Sequence, residues 1–248
     1  MLSAILPPCQ SQAQIEEAIA KPIAYAFAPR AGGWSGMAAT VAKHWWSSPA
    51  VIAHQWSQRQ RDKEIAQSFC DAHQITLEWS VSDWRTGFEL LVFSWQGRAY
   101  IVPIGSNDPL DWRRNLTQHS VGISATQRNR DAILKALEIV GRLEPSEVVV
   151  LGHSLGGAIA QYLAAEWTTI SRCITFQSAA VPSQIADQTT STVTVKHYLH
   201  PSDPVYPLSR ARCQGGLLSG EVIYRGDRVR GFARIQAHLA MLTLLIPA

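Results

Sequence analysis

Residues 148–165 read Val148-Val149-Val150-Leu151, then Gly152-His153-Ser154-Leu155-Gly156-Gly157, then Ala158-Ile159-Ala160-Gln161-Tyr162-Leu163-Ala164-Ala165. The apolar, mostly β-branched run predicts a buried strand, and the alanine-rich run with apolar residues at helical spacing predicts a helix. Only a very sharp turn fits between them, and Ser154 stands at its apex. Gly152 and Gly156 flank the serine because a Cβ at either place would clash where strand and helix nearly touch. The turn pushes the Ser154 hydroxyl out of the backbone, and the start of the helix points the Leu155 N–H at any oxygen that becomes negative nearby. This is Gly-x-Ser-x-Gly in strand-turn-helix context, the arrangement that presents a serine nucleophile. A glycine-rich turn with an incidental serine is the competing reading, and the flanking elements argue against it.

Around this turn the chain alternates strands with helices. Ile75–Val81 alternates in polarity, Phe88–Trp95 is apolar, and Arg98–Ile104 follows Gln96-Gly97, a hairpin signal. Thr126–Leu143 is an amphipathic helix ending at Glu144-Pro145, with the elbow strand next. Arg172–Gln177, Thr192–Leu199 and Glu221–Tyr224 read as further strands, and Phe232–Leu245 as a final helix. Such alternation predicts one α/β domain with a mostly parallel sheet covered on both faces. Before residue 70 the signals are helical: Ile15, Ala18, Ile19 and Ile23 give one or two short helices on the outside of the domain, broken at Pro22. From Gly32 to Trp56 no clear pattern emerges, with Thr40–Trp46 a candidate helical stretch and Ser47-Ser48-Pro49 a break, and Arg59–His73 reads as a charged, amphipathic helix.

At 248 residues, 46% hydrophobic and 17% charged, the chain is globular and long enough for a large core. A formal charge of +3 gives no reason to expect nucleic acid. The nine tryptophans are mostly core, and any exposed excess suits a chain that meets lipid. Cys9, Cys70, Cys173 and Cys213 are scattered and read as free thiols, and no His or Cys falls at metal-ligand spacing. Residues 1–8 lack the basic and apolar regions of a signal peptide, and no segment spans a bilayer. The expectation is therefore a cytoplasmic chain, or one exported by a signal-independent route.

A serine hydroxyl needs a general base, and the base needs an orienting acid. In a covered sheet both belong beyond the carboxyl ends of later strands, in the order Ser, Asp/Glu, His. Thr192–Leu199 runs into His200-Pro201-Ser202-Asp203-Pro204-Val205, which makes Asp203 the leading acid, with Asp187 and Asp227 as competitors. Of eight histidines, His44, His54, His73 and His119 precede the elbow, His153 points away from the neighbouring hydroxyl, and His197 lies inside a strand. His200 is too close to Asp203, which leaves His238. A second oxyanion donor belongs after an earlier strand, where Gly105-Ser106 follows Arg98–Ile104 and makes Ser106 the candidate.

At these residues the sequence resembles the class 3, fungal-type lipases of the α/β-hydrolases. The resemblance rests on Ile101-Val102-Pro103-Ile104-Gly105-Ser106 with Asp111-Trp112 beyond it, on Gly152–Gly157, and on Asp203-Pro204-Val205 with a later His238. It covers roughly residues 70–245. It implies an α/β-hydrolase fold, with residues 1–70 packing on a catalytic core of residues 71–248. It further implies a serine ester hydrolase with Ser154, Asp203 and His238 as catalytic residues, Ser106 and Leu155 as oxyanion donors, and no cofactor or metal. Pro103-Ile104 and Gln177-Ser178 depart from the family pattern of Phe-Arg and a glycine, and suggest a distant branch. In the family the segment after the oxyanion residue forms a lid. Asp108–Arg114 is its counterpart, a fixed surface helix being the other reading, and Leu110, Trp112 and His153 are the candidate substrate contacts.

The expected substrate is an acylglycerol or other lipid ester met at a lipid-water interface. A phospholipase, an acyltransferase and a non-catalytic hydrolase-fold binding module are the alternatives. The sequence sets no oligomeric state.

Overall fold

A computed structural model describes residues 11–28, 49–83, 88–104, 123–188, 192–230 and residue 238. Among the described residues seven strands form one sheet in sequential order: β1 (Thr76–Asp83), β2 (Phe88–Trp95), β3 (Arg98–Pro103), β4 (Glu147–His153), β5 (Arg172–Phe176), β6 (Thr194–Leu199) and β7 (Glu221–Tyr224). β1 and β3 pair antiparallel with β2, and every later pair is parallel. The β2–β3 hairpin turns at Gln96 and Gly97, both at positive φ (50° and 71°), the backbone that a two-residue turn between twisted strands demands. The mostly parallel sheet expected from the sequence is present, with helices on both faces.

Side chains alternate cleanly across this sheet. Along β2, Leu91 and Phe93 face one core and Leu90 and Val92 the other. The second core is closed by α5 (Arg130–Arg142) through Ile133, Ala136 and Val140, and by α6 (Leu155–Glu166) through Ile159, Ala160 and Leu163. Both helices are crossovers between neighbouring parallel strands, and the right-handed rule puts such crossovers on one side when strand order is sequential. The opposite face therefore needs a cover from elsewhere in the chain.

That cover is the N-terminal segment. α1 (Gln12–Ala18) passes through a π turn (Ile19–Ile23) into α2 (Ala24–Phe27). It is not a set of short outer helices broken at Pro22. The proline lacks an N–H, the ladder widens there, and the Ala24 N–H reaches back to the Ile19 carbonyl, so the helix continues. Ile15, Ile19 and Ile23 are buried against the sheet together with Ala66, Phe69 and Cys70 of α3 (Pro49–His73). Each isoleucine contributes about 2 kcal/mol of burial. Ion pairs fix the course of the helix: Glu16 with Arg172 at 3.0 Å and Glu17 with Arg225 at 3.0 Å. Arg172 also meets Glu147, which meets Arg98, so the ends of β3, β4 and β5 are laced together.

The helix expected over Thr126–Leu143 is split at Asn129 into α4 (Ile123–Arg128) and α5. Two short helices, α7 (Ser183–Ala186) and α8 (Val205–Cys213), complete the described elements. Cys70, Cys173 and Cys213 are free and buried. The expected helices at 40–46 and 232–245 fall outside the described residues, apart from His238, which is helical. No helix among the described residues is long and apolar enough to cross a membrane.

Candidate active site

β4 delivers His153 and Ser154 to the end of the sheet, and α6 departs at once from Leu155. Ser154 has φ 57° and ψ −124°, a conformation that costs an L-residue free energy and persists only where its surroundings over-determine it. Three backbone bonds do so. The Ser154 N–H donates to the Phe176 carbonyl at 3.1 Å, and the Ser154 carbonyl accepts from Gly157 and Ala179, both at 3.0 Å. A Cβ on Gly152 would stand 2.3 Å from the Gly156 carbonyl oxygen, and one on Gly157 would stand 2.5 Å from Ser178 Oγ. The clash expected at Gly152 is thus present, and the atoms it meets are the backbone of Gly156 and Gly157. Ser178 is itself fixed, accepting from Gln161 Nε2 at 2.8 Å.

β6 supplies the acid. Beyond Leu199 the chain turns, the Asp203 N–H donating to the His200 carbonyl at 3.0 Å. Asp203 Oδ1 accepts the Val205 N–H at 2.7 Å, an Asx turn that opens α8 and locks the carboxylate. Its other oxygen, Oδ2, lies 2.6 Å from His238 Nδ1. A carboxylate only accepts, so Nδ1 carries the proton and Nε2 is left as an acceptor, 3.2 Å from Ser154 Oγ. Ser154, Asp203 and His238 are all buried, at 5%, 4% and 2% exposure, so this chain of hydrogen bonds is shielded from water.

The competing residues stand away from Ser154. Asp187 caps α7 and Asp227 is exposed. His200 Nδ1 accepts the Ser202 N–H at 3.1 Å. His197 is held between Thr175 Oγ1 at 2.7 Å and the Leu218 carbonyl at 2.8 Å, and burial lowers its pKa to about 4.

Leu155 is the first residue of α6, where N–H groups lack intrahelical partners. Ser106, Leu110 and Trp112 lie outside the described residues. His153 is 3% exposed and turns inward. Its Nδ1 hydrogen-bonds the Tyr25 hydroxyl at 3.2 Å, the two rings meeting edge to face at 5.9 Å and 75°. On its other side its ring packs against that of His238, centroids 4.8 Å apart and tilted 31°. Burial, then His238 and Lys21, push its pKa well below the usual histidine value, against the opposing pull of the His238 backbone carbonyl.

Lys21 and Tyr25, one helical turn apart, form the back of this region, and no motif marks them in the sequence. Lys21 is fully buried, with Nζ 2.8 Å from Glu17 Oε1 and 4.6 Å over the Phe176 ring. Burial lowers its pKa to about 8, against the attraction of Glu17. The only sequence trace of this arrangement is three charges, Glu16, Glu17 and Lys21, in an otherwise apolar run. Among the described residues no group of three or more His, Cys, Asp or Glu side chains is placed to hold a metal ion.

Neither a protein-family model nor a curated protein sequence matches the chain. Solved structures do. A lipase from Rhizopus microsporus var. chinensis aligns with a TM-score of 0.55 at 17% identity, over 88% of this chain and 77% of that one. Lipase II from Rhizopus niveus aligns with a TM-score of 0.52 at 18% identity, over 65% of this chain and 70% of that one. A triacylglycerol lipase described as having a serine-protease triad at its catalytic centre gives a TM-score of 0.54 at 22% identity, over 64% of this chain and 69% of that one. The fold of this chain is the α/β-hydrolase fold of these enzymes.

Proposed function

We propose that this α/β-hydrolase-fold chain is a serine carboxylic-ester hydrolase of lipase type, acting through an acyl-enzyme on Ser154. One observation carries the reading: Ser154, His238 and Asp203 arrive from three separate segments and form a continuous buried line of hydrogen bonds, 3.2 Å and then 2.6 Å long. Supporting it is the likeness in fold to fungal triacylglycerol lipases.

In this reading His238 Nε2 takes the Ser154 proton as Oγ attacks the ester carbonyl. Asp203 holds the imidazole in the required tautomer and stabilises the imidazolium. The Leu155 N–H, at the positive end of α6, and Ser106 receive the oxyanion. The alcohol leaves with the proton from His238, and water activated by the same ring then releases the acid. The described residues 11–28 and 49–70 belong to the same domain as the core, since Ile15, Ile19, Ile23, Ala66, Phe69 and Cys70 cover one face of the sheet. The substrate is an acylglycerol at a lipid-water interface.

The test is hydrolysis of p-nitrophenyl esters from acetate to palmitate, followed by matched emulsions of triacylglycerol and phosphatidylcholine. The expected result is ester turnover that rises with chain length, and faster release of fatty acid from triacylglycerol. Faster release from phosphatidylcholine would replace the acylglycerol assignment with a phospholipase. No turnover of any ester would leave a hydrolase-fold binding module.

A further inference from the structure

We infer that Tyr25 and His153 form a positioning pair for His238, so that the N-terminal helix takes part in the catalytic machinery as well as covering the sheet. The inference rests on the proposal that His238 is the general base for Ser154.

His238 must pass a proton from Ser154 Oγ to a leaving group without losing its aim. The bond from Nδ1 to Asp203 Oδ2 fixes one end of the ring but leaves the plane free to tilt about that bond. A ring packed against its face removes that freedom, and His153 supplies one at a centroid distance of 4.8 Å with a tilt of 31°. His153 is buried at 3% exposure and adjoins the nucleophile in the chain, so any shift of its ring is felt at both reacting groups. Its own orientation is set by the Tyr25 hydroxyl on Nδ1 at 3.2 Å and by the edge-to-face contact of the two rings.

Tyr25 is anchored in turn by the whole N-terminal helix. Ile15, Ile19 and Ile23 bury one stripe, while Glu16 and Glu17 pair with Arg172 and Arg225. Lys21 lies one turn before Tyr25 and therefore on the same face. A positioning ring must also suit the charge that develops beside it. The face of a neutral imidazole accepts an adjacent imidazolium, whereas a second cation repels it. The groups facing His153 keep it neutral: burial, His238 itself and the Lys21 ammonium all disfavour its protonation, opposed by the His238 carbonyl. Lys21 is in turn balanced by Glu17 and, more weakly, by Asp203.

The test compares wild type with Tyr25→Phe, His153→Ala, His153→Asn and the double variant Tyr25→Phe/His153→Ala. Two readouts are taken, the second-order rate of inactivation by a fluorophosphonate and the kcat and KM for p-nitrophenyl butyrate, with thermal midpoints measured alongside. Tyr25→Phe removes one oxygen and keeps the ring, and is expected to slow inactivation and kcat by roughly 3- to 10-fold with KM unchanged. His153→Ala is expected to cost about 30-fold or more in the same readouts. His153→Asn restores a part, because its carboxamide oxygen, carried on Cγ as Nδ1 is, still receives the Tyr25 O–H. The double variant matches His153→Ala alone, since the tyrosine acts only through the histidine. Additive losses, or a Tyr25→Phe enzyme as fast as wild type, would overturn the positioning role. A wild type that fails to react with the fluorophosphonate would instead overturn the catalytic reading beneath it.

Discussion

His238 Nδ1 stands 2.6 Å from Asp203 Oδ2, both side chains buried and separated by thirty-five positions in the chain. The short turn that places Asp203 also satisfies its second oxygen with the Val205 N–H, so the carboxylate cannot swing away from the histidine. Asp203→Asn keeps that turn, because a carboxamide oxygen still accepts from Val205. Its NH2, however, faces Nδ1 and drives the ring to the wrong tautomer. The expected outcome is a fall in kcat of about 10⁴-fold with the thermal midpoint almost unchanged. Steady-state kinetics and a melting curve on the same preparation check it.

The backbone at Ser154 stores strain at the point of chemistry, with φ 57° and ψ −124°. Glycine adopts this conformation without penalty. Ser154→Gly is therefore expected to abolish activity and to raise stability by about 1–2 kcal/mol, or roughly 2–8 °C in the melting temperature. A variant that melts lower than wild type would show that the turn is relaxed.

His197 is buried as the neutral ring, with a pKa lowered by burial to about 4. The unfolded chain binds a proton near pH 6.5, so between these values it holds more protons than the fold. Stability from this group is complete above pH 6.5 and is lost as pH falls toward 4, by up to about 3 kcal/mol. His153, also lowered by burial, acts in the same direction. Melting temperatures taken from pH 7 to 4.5 are expected to fall in wild type and to fall less steeply in His197→Gln, whatever that variant's starting stability. Parallel slopes would remove His197 from the account.

The strands and the elbow are legible in the sequence because their causes are local. A β-branched run, a Gln96-Gly97 turn and an alanine-rich helix each carry their own signal. The three side chains brought together at the sheet end were also marked, by chain order and by the rule that catalytic groups follow strand ends. What lay beyond the sequence depends on partners. Nothing local tells Ile15, Ile19 and Ile23 that they face a sheet rather than solvent-side neighbours. Pro22 signals a break that a π turn absorbs once both flanks are packed. His153 sits beside the nucleophile in the motif, but its place against Tyr25 and His238 follows from a helix more than a hundred residues upstream. The lid and second oxyanion donor expected at 105–114 fall outside the described residues.

The most direct measurement of the central claim is covalent labelling with a fluorophosphonate, read by intact and peptide mass. The account predicts one adduct per chain, located on Ser154, absent in Ser154→Ala and slowed by orders of magnitude in His238→Ala. An unlabelled wild type, or an adduct on any other residue, would contradict it.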